Sequence, residues 1–198
     1  EAWKKAFETD KDSPFGGIIV MNDTLTLELA QEIDSIFTEV LIAPNYNKEA
    51  LELLTKKKNR RLLTVNFEKF KEMLQVNVKS VAGGILVQTI DDELFIDKEM
   101  KVVTKRSPTD NELKSLLFGW KVAKHVKSNA IVYTKADRTL AIGAGQMSRV
   151  DSSRIAVEKA KLMGLSLKGS TVASDAFFPF ADGLLQAVKA GATAVIQP

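Results

Sequence analysis

The chain has 198 residues, 45% of them hydrophobic and 27% charged, the balance of a soluble globular protein with one large or two small cores. It contains no cysteine and one histidine, which excludes disulfides, thiolate metal sites, a cysteine nucleophile and any multi-histidine metal centre within these residues. The net charge of +3 suits an anionic small molecule and is too small to argue for nucleic acid; no apolar run is long enough to span a bilayer. The absence of cysteine fits a reducing compartment, and the chain reads as cytoplasmic.

In chain order, Glu1–Phe7 reads as the tail of a helix. Ser13-Pro14-Phe15-Gly16-Gly17 is a turn cluster before a short buried strand, Ile18–Val20. Thr26 is placed to cap a helix running through Phe37, with Leu29, Ala30, Ile33 and Phe37 on one face. Val40–Ala43 is the next strand, stopped by Pro44. Asn47 caps a second helix through Leu54. The basic run Lys56-Lys57-Lys58 with Arg60 and Arg61 reads as a solvated helix end rather than a nucleic-acid patch. Leu62–Val65 is a strand, Phe67–Val78 is irregular, and Val81–Ile90 is a strand with Gly83-Gly84 as a bulge or a point of close backbone approach. A charged loop over Asp91–Lys105 puts a subdomain boundary near Lys105, which divides the chain into 1–105 and 106–198.

Beyond it, Thr109 and Glu112 have the T-x-x-E spacing of a capping box, before a helix with Leu113, Leu116, Leu117, Trp120 and Ala123 on a buried stripe. His125 sits near its end, where the helix dipole favours it. Ile131–Thr134 and Leu140–Ile142 form a hairpin around Lys135–Arg138. The stretch Ala141–Arg154 then passes from strand through Gly143 and Gly145 to Ser148 and Asp151, an S-x-x-D signature that starts a helix near Arg149 and lets it run to Gly164. Helix N–H groups beside an arginine make an anion site; the same pattern also describes an ordinary strand-to-helix turn with a solvated arginine. Ser170–Ala173 is a strand. Ser174–Gly183 then sets three phenylalanines around a proline between two aspartates: an aromatic edge for a flat heterocycle, or a core loop with Asp182 capping the helix Leu184–Ala190. Thr193–Gln197 is a last strand. Alternating strands and helices give an α/β class with parallel or mixed sheet flanked by helices.

Taken together, Ala141-Ile142-Gly143-Ala144-Gly145-Gln146-Met147-Ser148-Arg149 and Ser174-Asp175-Ala176-Phe177-Phe178-Pro179-Phe180-Ala181-Asp182-Gly183 are specific. They resemble the AICAR transformylase half of the bifunctional AICAR transformylase/IMP cyclohydrolase family. Phe7-Glu8-Thr9-Asp10, Ser13–Gly17, Glu39–Pro44 and Lys127-Ser128-Asn129-Ala130 extend the similarity from end to end. The resemblance implies two cytidine-deaminase-like subdomains without zinc. It implies transfer of a formyl group from the co-substrate 10-formyltetrahydrofolate to the amine of AICAR, in a homodimer with active sites at the subunit interface. By the same resemblance Arg149 holds the nucleotide phosphate, Asn129 and Phe177 contact the AICAR base, and Glu39 lies at the nucleotide site. Phe15, Val150, Pro179, Phe180 and Asp182 line the folate pocket. Ser128 and Asp175 match ligands of a potassium site whose other positions differ here (Ala123, Val126, Ala130).

One departure concerns the chemistry. The family's Lys-His acid/base pair stands before an Asn-Pro turn, and Lys124-His125 lacks that turn and lies on a helix. The chain therefore reads as an internal fragment of a longer enzyme, with the Lys-His pair expected upstream. The competing reading is a nucleotide-binding or dimerisation module that performs no chemistry.

Overall fold

In a computed structural model, residues 1–12, 14–73, 76–94 and 100–198 are described. Ser13, Leu74-Gln75 and Phe95–Glu99 lie outside them, so the expected Ser13 turn and part of the expected Asp91–Lys105 loop are not described. The chain forms two compact units, Asp12–Asp92 and Glu1–Lys11 with Glu93–Pro198.

The Asp12–Asp92 unit is built on a parallel three-stranded sheet: β1 (Phe15–Val20), β2 (Phe37–Ala43) and β3 (Arg61–Thr64), in that order. Two helices, α2 (Leu27–Asp34) and α3 (Lys48–Leu54), bury Ala30, Ile33, Ala50 and Leu54 with Leu41 and Ala43 of β2. Thr26 caps α2 as expected, its hydroxyl accepting the Leu29 N–H at 3.4 Å. The helix stops at Asp34, however, and Phe37 opens β2 instead of ending the helix. Asn47 holds the N-cap position of α3 without a side-chain hydrogen bond. The strand expected to be buried at Ile18–Val20 lies at a sheet edge, and Ile18 and Val20 are exposed.

Two further expectations are corrected here. Phe67–Met73 is a helix, α4, whose start is set by Asn66: its Oδ1 accepts the Glu68 and Lys69 N–H groups, both at 3.1 Å. Val81–Ile90 is not one bulged strand. Val76–Val81 (β4) and Gly84–Thr89 (β5) pair antiparallel in unbroken register, and Ala82-Gly83 makes the turn. Gly83 has φ +84°, so the paired glycines mark a reversal of the chain.

The other unit is an α/β/α sandwich. Its mixed sheet runs β7 (Arg138–Gly143), β6 (Ile131–Lys135), β8 (Ser170–Ser174), β9 (Ala192–Ile196). Only the β8–β9 pair is parallel. On one face Ile131, Tyr133, Leu140 and Val172 pack with Ala156 and Ala160 of α6 (Arg149–Leu162) and Ala187 of α7 (Ala181–Ala190). The Tyr133 hydroxyl, wholly buried, meets Ser153 Oγ at 2.7 Å, and burial pushes the phenol's pKa up.

On the opposite face α5 (Asp110–Ala123) lies against Val132, Thr134, Thr171 and Ala173. Its buried line is Ser115, Leu116, Gly119 and Ala123; Leu113, Leu117 and Trp120, expected on that stripe, are half-buried. Small residues win because the approach is close: a Cβ on Gly119 would stand 2.9 Å from Thr134 Oγ1. Ser115 Oγ bonds Thr171 Oγ1 at 2.7 Å, and Thr134 Oγ1 donates to the Ser115 carbonyl at 3.0 Å. The helix start matches the sequence reading: Thr109 Oγ1 accepts the Glu112 N–H and Glu112 Oε2 accepts the Thr109 N–H. Helix α1 (Ala2–Phe7) belongs to this unit, through Lys5 to Asp137 at 2.6 Å and Glu8 to Arg138.

Candidate functional site

The end of β7 makes an unusually close crossing. A Cβ on Gly143 would stand 1.7 Å from the Ser152 carbonyl oxygen, so only glycine lets α6 start this near the strand. Gly145 follows with φ +68°, and its N–H donates to the Lys127 carbonyl at 2.8 Å. Ser148 then caps α6, its Oγ accepting the Asp151 N–H at 3.1 Å. The expected reciprocal bond is altered. Asp151 Oδ2 takes the Ser148 hydroxyl proton at 2.7 Å rather than the Ser148 N–H. Arg149 and Val150, the first two residues of α6, keep N–H groups with no acceptor among the described residues.

The glycine turn reaches back to the segment before β6. The Gln146 carbonyl accepts both the Asn129 N–H at 3.3 Å and Asn129 Nδ2 at 2.8 Å. The Asn129 carbonyl accepts the Ser152 hydroxyl at 2.7 Å. The Ser128–Asn129 peptide is cis. Asn129 is thus tied to the strand end and to the first turn of α6.

From the end of β8, Asp175 enters the same cluster. Its Oδ1 accepts the Ala130 N–H at 2.8 Å, its Oδ2 accepts the Ser128 hydroxyl, and Arg149 Nη2 lies 3.6 Å from Oδ1. The side chains of Arg149 and Asp175 are largely covered, and Arg149 Nε is buried without a hydrogen-bond partner among the described residues.

The aromatic loop is an exposed edge packed on one ring. Phe177 and Phe180 are 60% and 74% exposed, whereas Phe178 packs on Gly183, where a Cβ would stand 2.8 Å from the ring. That Cβ would also lie 3.8 Å from Arg149 Cβ, so the loop and the arginine are neighbours across Gly183. Gln197 Oε1 accepts the Phe178 N–H at 2.9 Å and fixes the loop to the end of β9. Asp182 does not cap α7. Phe180 holds the N-cap position, and Asp182, in the first turn, accepts the Gly183 N–H at 2.7 Å.

Of the residues marked in the sequence, Ser128, Asn129, Arg149 and Asp175 form one bonded cluster. Phe177, Pro179 and Phe180 lie on the loop beside it, Asp182 is in the first turn of α7, and Val150 follows Arg149. Phe15 and Glu39 belong to the Asp12–Asp92 unit. There Phe15 stacks on Phe37 with ring centroids 4.5 Å apart, and Glu39 lies 3.7 Å from Arg61 with an oxygen close over Gly16. Sequence reasoning gave no role to Gln146, Ser152, Gly183 or Gln197. The first acts through its backbone carbonyl, which no side-chain pattern signals.

The basic run resolves into structure. The Arg60 side chain is buried and bonds Asp34 at 2.7 Å, and Lys57 lies 3.2 Å from the same carboxylate. Burial opposes ionisation of Asp34, yet the Arg60 and Lys57 hydrogen bonds hold its pKa below the ordinary value. His125 is exposed just past the end of α5.

A family model described as the AICARFT/IMPCHase bienzyme matches residues 1–159. The chain is 55% identical over 197 residues to the bifunctional purine biosynthesis protein PurH of Chloroflexus aurantiacus and 57% identical over 198 residues to that of Chlorobium phaeobacteroides. It is 54% identical over 205 residues to that of Sinorhizobium medicae. Each match takes in 100% of this chain and 37–38% of the relative, so the chain spans little more than a third of their length. With most of its residues inside the family match, including the glycine turn and Arg149, the chain belongs to the AICARFT/IMPCHase bienzyme family.

Proposed function

We propose that the chain is part of a purine-biosynthetic enzyme that moves a formyl group from 10-formyltetrahydrofolate to the amine of AICAR. The observation that carries this reading is the meeting of Asn129, Arg149 and the Phe177–Asp182 loop around Asp175 and Gly183. Arg149, with the free N–H groups of Arg149 and Val150, suits the nucleotide phosphate. Asn129 uses Nδ2 internally, which leaves Oδ1 to accept an N–H of the base. Phe177, Pro179 and Phe180 offer an aromatic edge to the folate, and Asp182 Oδ2 an acceptor. Glu39 and Phe15 belong to the same reading through the resemblance, as do the deaminase-like subdomains and the homodimer. Potassium fits poorly: both Asp175 oxygens already accept hydrogen bonds and Arg149 faces them, so no step is assigned to it.

The amine of AICAR is a weak nucleophile, since its lone pair is delocalised into an electron-poor ring. Formyl transfer therefore needs a proton acceptor and stabilisation of the developing oxyanion. Arg149 cannot accept a proton, and His125 lies outside the bonded cluster. The residues here bind and orient, and the Lys-His pair of the intact enzyme supplies the chemistry. The second reading, binding without chemistry, describes residues 1–198 taken alone: purified, they give no AICAR- and folate-dependent product. Turnover by them, abolished by His125→Ala, overturns that assignment.

The reading is tested by Arg149→Ala in the intact polypeptide. A charge-assisted hydrogen bond is worth roughly 1.5–3 kcal/mol, so AICAR binding weakens about tenfold or more. The nucleoside without its phosphate is affected little. Equal losses for nucleotide and nucleoside refute the phosphate role.

A further inference from the structure

Asp175 is bonded to residues on both sides of Asn129. Through Oδ1 it holds the Ala130 N–H at 2.8 Å, and through Oδ2 the Ser128 hydroxyl. The same Oδ1 faces Arg149 Nη2 at 3.6 Å. Among the described residues, Asn129 itself is fastened from the α6 side, by the Gln146 carbonyl and the Ser152 hydroxyl. Without the carboxylate, the Ser128–Ala130 segment keeps its ties to α6 and, toward the end of β8, is left among the described residues with the longer backbone bond in which the Ala130 carbonyl accepts the Asp175 N–H at 3.4 Å. We propose that Asp175 is a positioning residue that sets the Asn129 side chain and the Arg149 guanidinium against each other, so that one nucleotide engages both. The inference rests on the proposed reading of Asn129 and Arg149.

The physical case is one of acceptor geometry. A carboxylate has about four lone-pair directions, and here two are committed to the turn and one faces the guanidinium. An asparagine can still accept from the Ala130 N–H and donate to Ser128 Oγ, but it offers Arg149 no charge. An alanine offers neither. Ser128→Ala removes one arm of the turn and leaves the carboxylate facing Arg149.

The experiment is calorimetric binding of AICAR and of its nucleoside to the intact polypeptide. The proteins are unaltered, Asp175→Ala, Asn129→Ala, the double variant and Ser128→Ala, with melting temperatures measured alongside. Asp175→Ala and Asn129→Ala each weaken AICAR about tenfold or more, and the double variant is within about threefold of the weaker single one, because positioning and contact are one unit. Ser128→Ala loses a smaller factor and keeps its melting temperature, so the test survives a poorly folded Asp175→Ala. A merely structural aspartate gives losses that multiply in the double variant, and that result overturns the proposal, as does unchanged affinity in both Asp175→Ala and Ser128→Ala. If the unaltered protein does not bind AICAR, the functional reading fails first and takes this inference with it.

Discussion

The carbonyl oxygen of Ser152 lies 1.7 Å from where a Cβ of residue 143 would stand. Helix α6 and the end of β7 can meet this closely only because Gly143 has no side chain. Gly143→Ala must push the helix start away from the strand, with Arg149 and the Ser152–Asn129 bond on it. The expected cost is at least about 3 kcal/mol, at the upper end of overpacking. Urea denaturation of the intact polypeptide checks it, and a loss under 1 kcal/mol would show that the crossing yields easily.

Phe178 and Phe180 separate packing from binding in the aromatic loop. Phe178 rests on Gly183, while Phe180 is 74% exposed. Phe178→Ala lowers the melting temperature, whereas Phe180→Ala leaves stability within about 0.5 kcal/mol. Steady-state kinetics of the intact enzyme should then show Phe180→Ala and Asp182→Ala raising the folate requirement more than the AICAR requirement. If both substrates are affected alike, together with a fall in melting temperature, the loop is only core.

Acid stability should depend on Glu112. Arg106 grips this carboxyl with bonds of 2.8 and 3.0 Å, Thr193 and the Thr109 N–H add to it, and its pKa is held far below the ordinary 4.5. A lowered folded-state pKa gives stabilisation that is complete above the unfolded value and lost as pH falls through the folded one. Below about pH 4.5 the protein therefore loses stability partly through this group, and Glu112→Gln flattens that acid limb in a pH series of melting curves. Thr109→Ala, which removes the other half of the capping box, costs about 1 kcal/mol at neutral pH.

Arg60 and Asp34 should behave as a buried pair. The Arg60 side chain is 1% exposed and its Nη2 has no partner among the described residues, so its charge rests mainly on Asp34. Asp34→Ala strands that charge and costs roughly 2 kcal/mol, less than a fully enclosed pair because Asp34 keeps some water contact. Adding Arg60→Met to Asp34→Leu recovers most of the loss. Thermal melts of Asp34→Leu, Arg60→Met and the double variant decide it; a double variant that loses the sum of the two single losses would deny the coupling.

Local signals in the sequence were legible where one side chain does one job. Thr109 with Glu112, Ser148 and Gly164 marked helix ends that the structure keeps. Gly164, at φ +71°, closes α6 with Leu165 N–H bonded to the Ala160 carbonyl at 2.8 Å. The hairpin at Gly83 is not legible because paired glycines suit a bulge, a close backbone approach or a reversal alike, and only strand pairing chooses between them. Of the expected α5 stripe Leu116 and Ala123 are buried, whereas Ser115 and Gly119 join them for their small size, which hydrophobic periodicity does not register. At the candidate site, Arg149 and Asn129 stood out as motif residues. The Gln146 carbonyl and the two-sided grip of Asp175 depend on chain segments brought together from residues 128, 146 and 175.

Helix α1 finds its place against residues made much later. Lys5 bonds Asp137, 132 positions on, and Glu8 pairs with Arg138. At roughly 5–20 residues per second of synthesis, that separation keeps the segment waiting on the order of ten seconds at the ribosome. Asp12–Asp92 is fully translated within that interval. The Trp3 and Phe7 rings, stacked on each other in the folded protein, thus emerge while β7 is still to be made. Helix α1 is made long before it can settle, and the growing chain must keep it from other apolar surfaces until β7 arrives.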